Sequence, residues 1–176
     1  MPQVFIAVGS NIKPAENVRA AIRLLGREVR LKAVSTIYCT EPEGRPDQPL
    51  FYNGVVEVDT DLPPEELKCD VLKPIEEALG RTRCKDQYAP RTIDLDIAIY
   101  GDLVIEENDL IIPDPLIERR AFLAVPLYEL APDLILPDSG MPIRDIANAY
   151  AGHSMKPLLE YTEMLRKEIE DGSRKD

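Results

Sequence analysis

The 176-residue sequence has no tryptophan, a single histidine (His153) and only three cysteines, Cys39, Cys69 and Cys84. The cysteines show neither pairing nor metal-ligand spacing, which argues against a disulfide framework and a structural zinc site and leaves buried or idle thiols as the expectation. Long apolar runs are missing: no stretch approaches the roughly 20 residues of a membrane span. The opening Met1-Pro2-Gln3-Val4 has no basic region followed by a hydrophobic segment, so a cytoplasmic protein is expected. Positive charge is scarce, 21 Lys and Arg against 32 Asp and Glu, for a net charge of -11. That balance argues against nucleic acid or an anionic membrane as main partner and favours small molecules. Hydrophobic residues make up 44% and charged residues 30%, an ordinary balance for one globular domain with a real core. There is no internal repeat or low-complexity tract.

The few positive charges are unevenly placed. Arg81, Arg83, Lys85 and Arg91 crowd one loop against Asp86, a pattern suited to a small anion, though a solvated basic loop would look the same. Immediately after it comes Ala89-Pro90-Arg91-Thr92-Ile93-Asp94-Leu95-Asp96-Ile97-Ala98-Ile99-Tyr100. Ile93, Leu95, Ile97 and Ile99 alternate with Asp94, Asp96, Ala98 and Tyr100, the period-two pattern of a strand with one packed face. Asp94 and Asp96 then point the same way, roughly 7 Å apart along the strand. Unaided, their carboxylates repel. Mg²⁺ would relieve this, since it takes hard oxygen ligands and is commonly held by one or two carboxylates, with water and phosphate oxygens completing the shell. Two such ions roughly 3.5 to 4 Å apart can clamp an in-line displacement at phosphorus. Arg91, set by the preceding proline, adds a planar guanidinium suited to phosphate. An Asp-x-Asp alone is more often a solvated acidic strand face, so the surrounding pattern has to decide.

That pattern begins with a buried strand at Val4 to Val8, ended by Gly9-Ser10-Asn11. Pro14 opens an amphipathic helix over 14 to 25, with Val18, Ala21, Ile22 and Leu25 inward and Gly26 as its stop. Val29 to Cys39 alternates as one second strand. The loop from Thr40 to Pro49, with three prolines, is longer than hairpins need, which points to a job or to mobility. Leu50 to Asp59 is a third strand with Phe51, Asn53 and Val55 on one face. A ring beside an amide suits a flat heterocycle, although a core Phe next to an edge Asn is the commoner case. Asp61 to Leu79 reads as a helix kinked at Pro74. After the aspartate strand, Leu103 to Ile105 and Leu110 to Ile112 form a hairpin at the sheet edge. A helix from Glu118 to about Ala131 is interrupted by Pro126, another opens at Met141-Pro142, and a last one spans Pro157 to Ile169 before the charged end. The order strand, helix, strand, strand, helix, strand predicts an α+β fold with a ferredoxin-like βαββαβ core: an antiparallel sheet with helices on both faces, an edge hairpin and C-terminal helices. Residues 1–156 form the expected domain, and 157–176 a C-terminal helical extension with a charged tail.

Val8-Gly9-Ser10-Asn11, Thr40-x-Pro42 with Gly44 and Asp47-Gln48-Pro49, Phe51-x-Asn53, Glu76-x-x-x-Gly80-Arg81 and above all Pro90-Arg91-x-x-Asp94-Leu95-Asp96-Ile97 resemble hydroxymethyldihydropterin pyrophosphokinase of folate biosynthesis. The similarity runs in the same order from about residue 4 to 138. It implies transfer of pyrophosphate from ATP to the hydroxymethyl oxygen of the pterin, with release of AMP. Carried over, it implies that Asp94 and Asp96 are catalytic ligands of two Mg²⁺ ions. Arg81 and Arg91 become catalytic phosphate binders, and Glu76, Arg83, Asp114 and Arg120 join them around ATP. Phe51 and Phe122 would sandwich the pterin, with Thr40 and Asn53 at its edge. The loops at 40 to 49 and 80 to 91 would be lids. Asp114 stands where the family usually has a histidine near the phosphates. A monomer or a homodimer is compatible with all of this. Two other classes fit parts of the pattern: a nucleotidyltransferase, disfavoured by the distance in sequence between Ser10 and Asp94, and a non-catalytic ferredoxin-like sensor.

Overall fold

The computed structural model describes residues 1–173 apart from Arg83 and Asn108. Six strands form the main antiparallel sheet: five run in the order β5 (Asp94–Tyr100), β1 (Val4–Ser10), β4 (Phe51–Asp59), then β3 (Tyr38–Thr40) and β8 (Lys156–Pro157), and the sixth, β2 (Arg30–Val34), also pairs with β4. β1 lies inside the sheet, between β5 and β4, and all of its residues except Ala7 are buried. A strand buried on both faces needs cover on both.

One face of the sheet packs Ile6, Val8, Val56, Val58 and Leu95 against α1 (Pro14–Glu28), the 64–78 helix and Leu165 of α7 (Leu159–Ser173). The other packs Phe5, Val55, Ala98 and Ile99 against α4 (Leu116–Arg119), α5 (Ala121–Leu130) and α6 (Ile143–Ala149). Among the described residues no helix is long and apolar enough to cross a membrane.

Several expectations are corrected. Helix α1 continues through Gly26 to Glu28, because its stop is the extended backbone at Val29 rather than the glycine. The single strand expected over 29 to 39 is two: Ser35 turns out of line, its amide donating to Val55 O (2.9 Å) and its Oγ accepting from Val55 N (2.9 Å). Period-two patterning cannot register such a break, since the residues on either side still alternate. The expected kink at Pro74 is absorbed upstream. α2 (Pro64–Glu66) and α3 (Lys73–Ala78) flank a π-helical segment, Leu67–Leu72. Widening the turn accommodates a proline that cannot donate to the carbonyl four residues before it.

The strand carrying the aspartates also departs from simple alternation. The β1–β5 register shifts between Phe5 and Ile6, so Ala98 is an extra residue in β5. Ile99, expected beside Leu95 and Ile97, is thereby turned to the opposite face, where it packs with Phe5. The hairpin is displaced and independent: β6 (Ile105–Glu107) and β7 (Leu110–Ile112) form their own two-stranded sheet. The helix expected from Glu118 begins at Leu116 and breaks at extended Arg120, whereas α5 runs on through Pro126. The short strand β8 had no forecast.

Candidate active site

The face shared with α4, α5 and α6 is covered over only part of its length. Gly9 pairs with both Asn53 and Asp94, Ala7 with Val55 and Asp96, and Phe51 with Thr40. Directly paired residues project to the same side. Asp94, Asp96, Asn53, Phe51 and Thr40 are therefore brought to one end of one face, where β1 finishes and β4 and β5 begin. Gly9 leaves room for this grouping: a Cβ would lie 2.8 Å from Asn53 Oδ1 and push that amide aside. With the glycine in place the Asn53 amide lies over the strand, and its Nδ2 donates to Thr40 Oγ1 at 2.7 Å.

Asp94 is gripped from two sides. Its Oδ1 accepts from Arg81 Nη1 and its Oδ2 from Arg91 Nη1, both at 2.7 Å. Arg81 is anchored again from below, where Nη1 donates to Glu76 Oε2 at 2.6 Å and to Ile93 O at 3.3 Å. Glu76 is only 4% exposed, and its Oε1 accepts from the backbone N–H of Leu95, between the two aspartates. It supports the floor of the site. Arg91 also stands over Phe51, 5.9 Å from the ring centre, within cation–π range.

The two aspartates differ in charge balance. Burial alone would raise the Asp94 carboxyl, but Arg81 and then Arg91 outweigh it and hold it below its ordinary 3.8. Asp96 has an exposed edge, yet the protein around it removes hydration, and Asp94, Asp114 and Glu76 add like charge; together these push it up to about 8. Among the described residues none forms an ion pair with Asp96, and the attraction of Arg81 is outweighed by burial and by the three neighbouring carboxylates. Asp114 is raised too, by burial first and then Asp94, against the hydrogen bond its Oδ1 accepts from Leu116 N at 2.9 Å. Among the described residues no group of three or more acidic, His or Cys side chains is arranged to hold a metal. The donor set is instead two carboxylates on one strand face, one of them without an ion pair among the described residues, which fits Mg²⁺ sharing its shell with phosphate and water.

The remaining predicted residues are dispersed around this centre. Phe122 is partly buried at the start of α5, beside Arg120, whose Nε forms an ion pair with Glu43 Oε1 at 2.5 Å. Arg83 lies outside the described residues. What sequence reasoning missed is the fastening between loops. Asn11, 1% exposed, accepts from Arg91 N at Oδ1 (2.8 Å), donates from its own N to Arg91 O (3.2 Å), and donates from Nδ2 to Gln48 Oε1 (3.3 Å). Gln48 Nε2 passes the link to Tyr88 O at 2.6 Å, and Arg45 pairs with Asp86. The Gly-Ser-Asn turn was the available signal, but its partners lie 37 and 80 residues away.

A carboxylate pair with arginines beside it, opening on an antiparallel sheet backed by helices, is an arrangement suited to the class of enzymes that transfer phosphate-containing groups. The family model for 7,8-dihydro-6-hydroxymethylpterin-pyrophosphokinase (HPPK) matches residues 5–132. The 2-amino-4-hydroxy-6-hydroxymethyldihydropteridine pyrophosphokinase of Pseudomonas aeruginosa is 44% identical over 139 residues, covering 77% of this chain and 85% of that protein. The protein of the same name from Haemophilus influenzae is 37% identical over 161 residues, covering 90% and 99%. A Plasmodium falciparum HPPK-DHPS triple mutant crystallised with SDX-DHP shares the fold, with a TM-score of 0.69 at 17% identity over 85% of this chain and 44% of that one. The chain belongs to the HPPK family.

Proposed function

We propose that this chain transfers pyrophosphate from ATP to 6-hydroxymethyl-7,8-dihydropterin, releasing AMP, in the cytoplasm as a step of folate biosynthesis. Membership of the family supports the reaction, and the placement of Asp94 and Asp96 beside Arg81 and Arg91 is the observation that carries the reading to this chain's own residues. Two Mg²⁺ ions held by Asp94 and Asp96 would supply neutralisation of the triphosphate and polarisation of its β-phosphorus. Arg81 and Arg91 add positive charge where the leaving AMP and the transferred group carry negative charge. Phe51 and Phe122 stack the pterin, and Thr40 and Asn53 read its edge with a hydroxyl and an amide. Arg83 and Arg120 hold ATP from the loop and from the start of α5, with Glu76 beneath Arg81. Asp114 meets the phosphates only with a cation between, since a bare carboxylate would repel them.

The strand order, with β5, β1, β4 and then β2 and β3 end to end along β4, supports a ferredoxin-like core. Residues 1–156 carry the chemistry in this reading and 157–176 extend it, in a monomer or homodimer. Incubation with ATP, Mg²⁺ and hydroxymethyldihydropterin should form AMP one-for-one with pterin pyrophosphate. Asp96→Asn should lower the rate on the order of a thousandfold while the circular dichroism spectrum stays unchanged. ADP as product, a nucleotide left on the acceptor, or full activity in that variant would each defeat the assignment.

A further inference from the structure

Both oxygens of Asp94 are occupied by guanidinium groups, at 2.7 Å each. A divalent ion arriving alone would have to displace a charge-assisted hydrogen bond and sit beside two positive charges. An ion arriving with a triphosphate brings the displaced arginine a replacement partner. The two arms are unequal. Arg81 keeps Glu76 and Ile93 O whatever Asp94 does, whereas among the described residues Arg91 has no second acidic partner, only Gln87 O and the face of Phe51.

We infer that the clamp on Asp94 makes metal and triphosphate enter together, with Arg91 as the exchangeable arm that passes from Asp94 to the phosphates and Arg81 as the fixed arm held by Glu76. This rests on the pyrophosphokinase reading and deepens it. The consequence is thermodynamic coupling: nucleotide raises metal affinity and metal raises nucleotide affinity by the same factor. An empty site resists free cations despite its carboxylates.

The test is Mn²⁺ binding to the full chain without nucleotide, read from the electron paramagnetic resonance signal of the free ion. Wild type should bind weakly. Arg91→Gln should bind about tenfold more tightly, the scale of one charge-assisted hydrogen bond, and Arg91→Lys should stay near wild type. Arg45→Gln removes a nearby cation that pairs with Asp86 rather than Asp94, and should change little. Wild-type affinity in Arg91→Gln, or equal tightening in Arg45→Gln, overturns the inference while leaving the pyrophosphokinase reading intact. A second readout needs no variant to fold: the Arg91 Nε–Hε resonance should hold still on adding Mg²⁺ alone and move when α,β-methylene-ATP is added with it. The same movement with Mg²⁺ alone overturns the exchange. Asp94→Asn should lose the Mn²⁺ complex with α,β-methylene-ATP; if it keeps that complex, the metal assignment itself falls.

Discussion

Single residues at this site act through what they leave out as much as through what they offer. Gly9 contributes no side chain, and the space it leaves is filled by the Asn53 amide, which a Cβ would meet at 2.8 Å. Gly9→Ala should therefore fold, because the obstructing atom ends a side chain that can swing away. The swing breaks the Asn53 to Thr40 hydrogen bond, so the pterin KM should rise about tenfold with the ATP KM nearly unchanged. Equal rises in both constants would place Gly9 in the general architecture instead. That Asp94 and Asp96 share a face was legible from spacing, since two carboxylates two residues apart in a strand point the same way by geometry; that this face carries a site was not, because an Asp-x-Asp alone is more often a solvated strand face. Nor were their unequal surroundings. The pairing of Asp94 with Arg81 needs a turn after Ala78 and a floor residue, Glu76, whose burial follows from tertiary packing. A strand pattern carries no record of which neighbour folds over it.

Elements show the same division. Strands and helices whose buried faces follow one period were legible, as in α1 with Val18, Ala21, Ile22 and Leu25. Places where the chain switches face were not: the bulge that turns Ile99, the Ser35 break between β2 and β3, and the π-helical turn before Pro74 each preserve local composition while changing register. Loops are the extreme case. The loops at 40 to 49 and 80 to 91 were expected as lids, and they are tied to each other: Arg45 pairs with Asp86, Gln48 bonds to Tyr88 O, and the Tyr88 ring lies against Gly44, whose φ of 72° favours glycine. Two loops fastened this way should open as one unit. Arg45→Ala should accelerate amide hydrogen exchange in both loops together, by a few-fold, while the sheet keeps its protection. Faster exchange confined to 40–49 would mean that the loops move independently. The melting temperature should barely change, since the lost pair is largely exposed.

At the scale of the whole molecule, the last helix belongs to the main core despite lying beyond the stretch matched by the family model. Leu165 is 1% exposed, and Thr162, equally buried, accepts from Ile37 N at 2.9 Å, while Leu158 N donates to Ile37 O at 2.8 Å. These bonds grip the segment that leads into β3, the strand carrying Thr40. Leu165→Ala should cost about 2 to 4 kcal/mol of unfolding free energy, as for other buried leucines, and a loss under 1 kcal/mol would make α7 an appendage. At its far side α7 is fixed to α1 by Glu168, which accepts from both Arg19 and Arg23. The hydrogen bond from Arg19, opposed by partial burial and reinforced by Arg23, holds the Glu168 carboxyl below its ordinary 4.5. A carboxyl depressed in the folded state binds its proton more readily once unfolded, so its contribution is complete above pH 4.5 and disappears as pH falls through the lower folded value. Glu168→Gln should accordingly melt slightly below wild type at pH 7. The gap should close on acidification, because protonated wild type has lost the charge that the variant lacks. It should also narrow in high salt, since the arginines are open to solvent. A gap that persists unchanged in acid would assign the bridge's effect to packing rather than charge.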